Sequence, residues 1–239
     1  MIACLAEGNG ALAKVEEARK RLLAAGAAEV RVRSVPDEDW HDLWRQHFKP
    51  RRVGRRLVVR PSWESYAAEA DDVVVVLDPG LAFGTGEHPT TRLCLSLLEG
   101  SVQKGSRVFD LGCGSGILTI AARLLGAGET VGVDVDEQAV QVARRNAEFN
   151  EADVRFKVGD SMEAGGDGPW DLVLSNIVSA TIIGAARHVA AVLAPEGHWI
   201  VSGILDSNWE AVREEVELSG FAVDEVVEED GWIAATLRR

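Results

Sequence analysis

RVFDLGCGSGILTIAARLLG, residues 107–126, opens with a short apolar run that ends at Asp110, passes through Gly112, Gly114 and Gly116, and continues as an apolar-rich helical pattern. A strand, a tight glycine turn and a helix in that order place a ligand at a helix N-terminus in an α/β fold. The spacing decides which ligand. The glycines run GxGxG, and Ile117 stands where a dinucleotide fingerprint requires Gly or Ala, so diphosphate binding is disfavoured. The next apolar stretch, TVGVDVD, ends with Asp134, 22 residues after Gly112. A carboxylate there accepts hydrogen bonds from both hydroxyls of a ribose.

Strand-like and helix-like stretches alternate outward from this turn. VVVVLD, TTRLCLSLLEG, RVFDLG, ILTIAARLLG, TVGVDVD, EQAVQVARRNAEFN, VRFKVGD, WDLVLSN, a helical pattern near 180–193, HWIVSGI, WEAVREEVELSG, FAVDEVVEE and GWIAATLRR follow one another. That order predicts an α/β domain with a mainly parallel sheet covered by helices on both faces. The chain divides into three parts on this reading: 1–36, a strand–helix–strand (βαβ) module; 37–60, a linker helix and strand; and 61–239, the large α/β domain. The linker holds Trp40, Leu43, Trp44 and Phe48 at helical spacing, then RRVGRRLVVRP, read as one strand with arginines on one side.

Composition bounds the function. Cys4, Cys94 and Cys113 form no CxxC pair, and the five histidines form no ligand pattern, so neither a disulfide framework nor a metal site is expected. Reduced cysteines, the absence of a signal-like N-terminus and the lack of a spanning apolar run lead to an expectation of a cytoplasmic protein without a membrane partner. Residues 1–60 carry 13 Lys/Arg against 8 Asp/Glu, and residues 61–239 carry 12 against 30, giving +5 and −18. The acidic body attracts a basic partner and argues against direct nucleic acid binding.

LDPGLAFGTGEHPTT, residues 77–91, is longer than a strand-to-helix connection needs, and it has no GxxxxGK[ST] phosphate-loop spacing. It reads as a glycine-hinged lid, with Phe83 as its apolar element and Thr91 starting the following helix; His88 is either functional or a cap before Pro89. VFDLGCGSG followed by VGVDVD resembles the S-adenosylmethionine site of class I methyltransferases. With LDPGLAFGTGEHPTT upstream and LSNIVSATI downstream, residues 36–239 resemble the ribosomal protein L11 methyltransferase (PrmA) family.

The resemblance implies a Rossmann-like domain with a seven-stranded, mainly parallel sheet and S-adenosylmethionine as cofactor. It carries Thr91, Gly112, Asp134 and Asn176 over as cofactor-binding positions, and the motifs around them add Phe83, Gly84, Thr85, Asp110, Gly114 and Asp160. The implied activity is N-methylation of lysine ε-amino and/or N-terminal α-amino groups of ribosomal protein L11, the expected protein partner. The same motifs would serve an enzyme acting on another protein lysine or a small amine, and a non-catalytic binding module is the remaining class. Asn176 follows WDLVLS at a strand end and is the candidate catalytic residue, its amide orienting the attacking amine. The Asn-Pro-Pro-aromatic motif of amide and nucleobase methyltransferases is replaced here by Asn176, Ile177, Val178 and Ser179, which favours a free amine. The family's N-terminal domain is a ferredoxin-like βαββαβ unit, whereas residues 1–36 read as a single βαβ, so either the sequence starts at an internal methionine or a reduced recognition module is expected.

Overall fold

The computed structural model describes residues 48–78, 84–160 and 168–239, together with Val15, Glu16, Arg19, Lys20 and Leu23, which are helical. Residues 36–47 of the expected 36–50 helix and the strands expected on either side of residues 11–26 lie outside the described residues, and residues 48–50 are not helical. Two compact units divide the chain, Met1–His47 and Phe48–Arg239. The strand part of the expected 37–60 linker therefore falls within the larger unit.

RRVGRRLVVRP is not one strand. It forms a hairpin of β1 (Arg51–Arg52) and β2 (Leu57–Pro61), antiparallel, with Val59 opposite Arg51. A buried acid dictates the reversal: Glu99 accepts from the backbone N–H groups of Arg55 and Arg56, both at 2.7 Å. A Cβ on Gly54 would sit 2.3 Å from a Glu99 carboxylate oxygen, so a side chain there would displace the carboxylate that caps the turn. β3 (Val73–Leu77), the VVVVL run, pairs in parallel with β2 and completes a separate three-stranded sheet.

The main sheet has seven strands: β4 (Val108–Leu111), β5 (Thr130–Asp134), β6 (Arg155–Val158), β7 (Trp170–Asn176), β8 (Leu193–Leu205), β9 (Ala222–Glu229) and β10 (Trp232–Arg238). Their order is β6-β5-β4-β7-β8-β10-β9. β4, β5, β6, β7 and β8 run parallel, while β10 is antiparallel to both β8 and β9. Among the described residues α1 (Pro89–Ser101) leads into β4, and α2 (Ile117–Leu124), α3 (Glu137–Phe149), α4 (Ser179–Val192) and α5 (Trp209–Leu218) connect strands of the sheet. The fold class read from the sequence is therefore the one observed. It arises because β4, β7 and β8 are buried on both faces, around Phe109, Trp170, Trp199 and Ile200, while the helices each bury one stripe.

The chain order sets the location of the site. After β4 the chain winds outward through β5 to β6, then returns to the other side of β4 to begin β7. At such a reversal the loops at the carboxyl ends of adjacent strands part, leaving a crevice between β4 and β7. Asp110 lies on β4 and Asn176 closes β7.

Candidate functional site

The glycine turn closes on itself. The N–H groups of Gly112 and Cys113 both donate to the Val133 carbonyl, at 2.9 and 3.0 Å, and Gly116 donates to the Cys113 carbonyl at 2.8 Å. Gly114 N–H donates to Asp134 Oδ2 at 2.8 Å. These donors are consumed internally, so the turn is no phosphate cradle, in agreement with its GxGxG spacing. Gly112 has φ +81°, and a Cβ there would lie 2.5 Å from the Ile177 side chain. This position admits no side chain, which keeps the backbone open toward the β4/β7 crevice.

Asp134 ends β5 with each carboxylate oxygen fixed by one backbone donor, Oδ2 by Gly114 and Oδ1 by Asp136 at 3.0 Å. Lone pairs remain on both oxygens, and the carboxylate is partly exposed, so two vicinal hydroxyls fit it. Asp110 is 1% exposed; its Oδ2 accepts from the Thr119 hydroxyl at 2.6 Å and the Thr119 N–H at 3.1 Å. Burial pushes its carboxyl up to about 7, the Thr119 hydrogen bonds hold it down, and the nearby Asp134 charge adds to the rise. Its Oδ1 is buried with no hydrogen-bond partner among the described residues. Asp110 and Asp134 together make this crevice favourable to a cation and hostile to an anion.

Thr91 does not start its helix: α1 begins at Pro89, with His88 as N-cap. The His88 Nδ1 lies 2.8 Å from the Thr90 hydroxyl and accepts from Thr90 N–H at 3.4 Å, and its ring meets Trp232 edge-on at 4.9 Å. The capping role is the one the geometry displays. Thr91, fully buried in the first turn, is brought to the end of β7, where Asn176 Nδ2 donates to its hydroxyl at 3.3 Å. Asn176 Oδ1 is buried and unpartnered among the described residues. An acceptor left without a donor is costly, and a ligand N–H in the crevice would satisfy it.

Gly84 and Thr85 lie on the exit side of the loop, and Phe83 is outside the described residues. Gly84 has φ +96°, and its carbonyl accepts from Ser115 Oγ at 2.7 Å. Asp160 is exposed just beyond β6, on the far side of Asp134 from β4. The structure thus gathers Gly112, Gly114, Asp110 and Asp134 on one side of the crevice and Thr91 with Asn176 on the other, with Gly84 joined to the glycine turn.

Two residues missed in the sequence hold this arrangement together. Asn146, fully buried on α3, accepts from Asp78 N–H at 2.9 Å and donates to the Ser115 carbonyl at 2.9 Å. One turn later Asn150 pairs with both the N–H and the carbonyl of Val76, at 2.8 and 2.7 Å. Two asparagines four residues apart, one on the apolar stripe of the helix and one at its C-cap, are the available signal.

A family model described as ribosomal protein L11 methyltransferase (PrmA) matches residues 1–239. The ribosomal protein L11 methyltransferase of Pelotomaculum thermopropionicum is 46% identical over 220 residues, covering 91% of this chain and 71% of that protein. That of Symbiobacterium thermophilum is 45% identical over 217 residues, covering 90% and 70%. The crystal structure of a ribosomal protein L11 methylase from Lactobacillus delbrueckii subsp. bulgaricus superposes with TM-score 0.75 at 31% identity, over 80% of this chain and 99% of that one. The chain belongs to the ribosomal protein L11 methyltransferase (PrmA) family of S-adenosylmethionine-dependent methyltransferases.

Proposed function

We propose that this protein transfers methyl groups from S-adenosylmethionine to lysine ε-amino and/or N-terminal α-amino groups of ribosomal protein L11, in the cytoplasm. Residues 1–36 serve it as a recognition module, and 61–239 as the catalytic domain. The observation that carries the reading is the unpartnered Asn176 Oδ1, held in the crevice by its Nδ2 bond to Thr91.

The residues present fit the cofactor. Asp134 offers lone pairs to a ribose, Gly112 leaves room where a Cβ would clash, and Asp110 with Asp134 favours a positive charge. Gly114 in the glycine turn and Gly84, joined to that turn, belong to the same proposed site, and Phe83, Thr85 and Asp160 are assigned to it from the family resemblance. Bound there, S-adenosylmethionine supplies an electrophilic methyl group on a sulfonium. Asn176 Oδ1 accepts one N–H of the incoming amine and points its lone pair along the line of attack, a gain in alignment rather than in acidity. An amine of pKa about 10.4 gives its proton to solvent before attack, so no strong base is required of the chain.

Incubating the protein with isotopically labelled S-adenosylmethionine and ribosomal protein L11, followed by mass spectrometry of L11 peptides, tests the proposal. Label on lysine or N-terminal amines is expected. L11 left unlabelled under conditions where another protein acquires label would assign a different substrate.

A further inference from the structure

β9 ends the main sheet, and among the described residues no strand pairs with its outer edge. The outward-directed N–H and C=O groups of this eight-residue edge strand are a template for another extended chain. The side chains around this edge say which chain would be accepted. Residues 206–231 hold ten Asp and Glu against a single basic residue, Arg213. Within them, Asp224 is committed to Arg238 and His198, and Glu229 to Arg92. Glu225 and Glu228 are exposed on the strand, and no ion pair engages them among the described residues. Helix α5 packs against β9 and adds the exposed Glu214. Val226, 43% exposed, and Leu218, 73% exposed, interleave apolar surface with the acids. Glu225 and Glu228, three apart on the strand, present an acid on each face of the edge, with apolar surface between them, and match the ammonium heads and methylene stems of lysines on both faces of an added strand.

The register connects this edge to the site. Asn176 lies opposite Ser202, Ser202 opposite Ala234, and Ala234 opposite Val227, so one row crosses β7, β8, β10 and β9. At about 4.8 Å per strand, a chain added beyond β9 would lie roughly 19 Å from Asn176. The β9–β10 turn stands on the same side of the sheet as Asn176, because Trp232 pairs with Leu205 at the end of β8. An extended segment leaving the edge there covers the distance in about four to six residues, allowing for the length of a lysine side chain.

We propose that the outer edge of β9 is a docking strip for a basic, extended segment of the protein substrate, paired as an added strand with its methylated amine about four to six residues away. This rests on the reading of the protein as a methyltransferase of a lysine-containing protein. Lysines on opposite faces of the added strand meet Glu225 and Glu228, and main-chain hydrogen bonds supply affinity independent of sequence.

The test compares the full-length enzyme with E225K/E228K, and with E148K/D153K, which makes the same charge change near the opposite edge, β6. With ribosomal protein L11 as substrate at low salt, E225K/E228K should raise KM about tenfold with kcat unchanged, while E148K/D153K should leave KM within about twofold. Hydrogen exchange of amides 222–229 should slow on adding L11. A fluorescent lysine–alanine peptide of about sixteen residues should bind the wild type and lose binding in E225K/E228K. If L11 is not methylated at all, the assigned substrate falls, while the peptide and exchange measurements still decide the docking strip. Equal KM shifts in both variants, or no protection of 222–229 by either probe, would overturn the proposal. So would self-association of E225K/E228K with unchanged KM, which would mean that the acids serve only to keep two copies of the edge apart.

Discussion

The Ser115 hydroxyl donates to the Gly84 carbonyl at 2.7 Å, while the Ser115 carbonyl accepts from Asn146. Asn146 in turn accepts from Asp78 N–H. Residues on both sides of segment 79–83 are therefore tied to one residue of the glycine turn. Asn146→Ala leaves the Asp78 N–H and the Ser115 carbonyl without partners and should destabilise the fold by about 2–4 kcal/mol. Ser115→Ala removes one hydrogen bond and should cost about 1 kcal/mol. Urea denaturation ranks the two; a smaller loss for Asn146→Ala than for Ser115→Ala would contradict the anchoring.

Asp134→Ala should weaken S-adenosylmethionine binding by about 1.5–3 kcal/mol, the range for hydrogen bonds to a charged group. Glu137→Ala, an exposed acid three residues away, should leave affinity within about twofold. Calorimetry on both variants checks the assignment, and unchanged affinity in Asp134→Ala would remove the ribose site from β5.

Asn176→Ala should slow methyl transfer more than it weakens donor binding. Loss of one positioned hydrogen bond to the amine costs on the order of 2–4 kcal/mol in the transition state, roughly thirtyfold to a thousandfold in rate. Single-turnover transfer at saturating donor isolates the effect. Full recovery of rate at saturation would make Asn176 a cofactor ligand alone.

Asp110 makes the site sensitive to pH. Its folded pKa, about 7, lies above the ordinary carboxyl value because of burial, so between about pH 4 and 7 the folded state binds more protons than the unfolded. Stability attributable to this residue is fully present below the unfolded pKa and is lost as pH rises through 7. A cation in the crevice favours the ionised form. Affinity for S-adenosylmethionine should therefore rise relative to that for S-adenosylhomocysteine as pH rises from 6 to 8, and Asp110→Asn should flatten that difference. Parallel titrations with the two ligands measure it; a ratio independent of pH in the wild type would refute the coupling.

Much of this protein is determined locally and so could be read from its residues in order. The apolar run ending at Asp110, the GxGxG turn and the carboxylate at Asp134 act within one strand–turn–helix–strand segment, and their order points to an α/β fold with a ligand crevice at the strand ends. Tertiary structure decided what depends on partners distant in sequence. Glu99 turns RRVGRRLVVRP into a hairpin from more than 40 residues away, because two buried N–H groups require an acceptor. Asn146 and Asn150 bind Asp78 and Val76 from about 70 residues away. Thr91 and Asn176, 85 residues apart, meet only when β7 returns beside β4, which gives the Asn176 amide its orientation. Periodicity encodes which face of an element is buried, but a single polar side chain has no period, and its partner exists only once the sheet order is set.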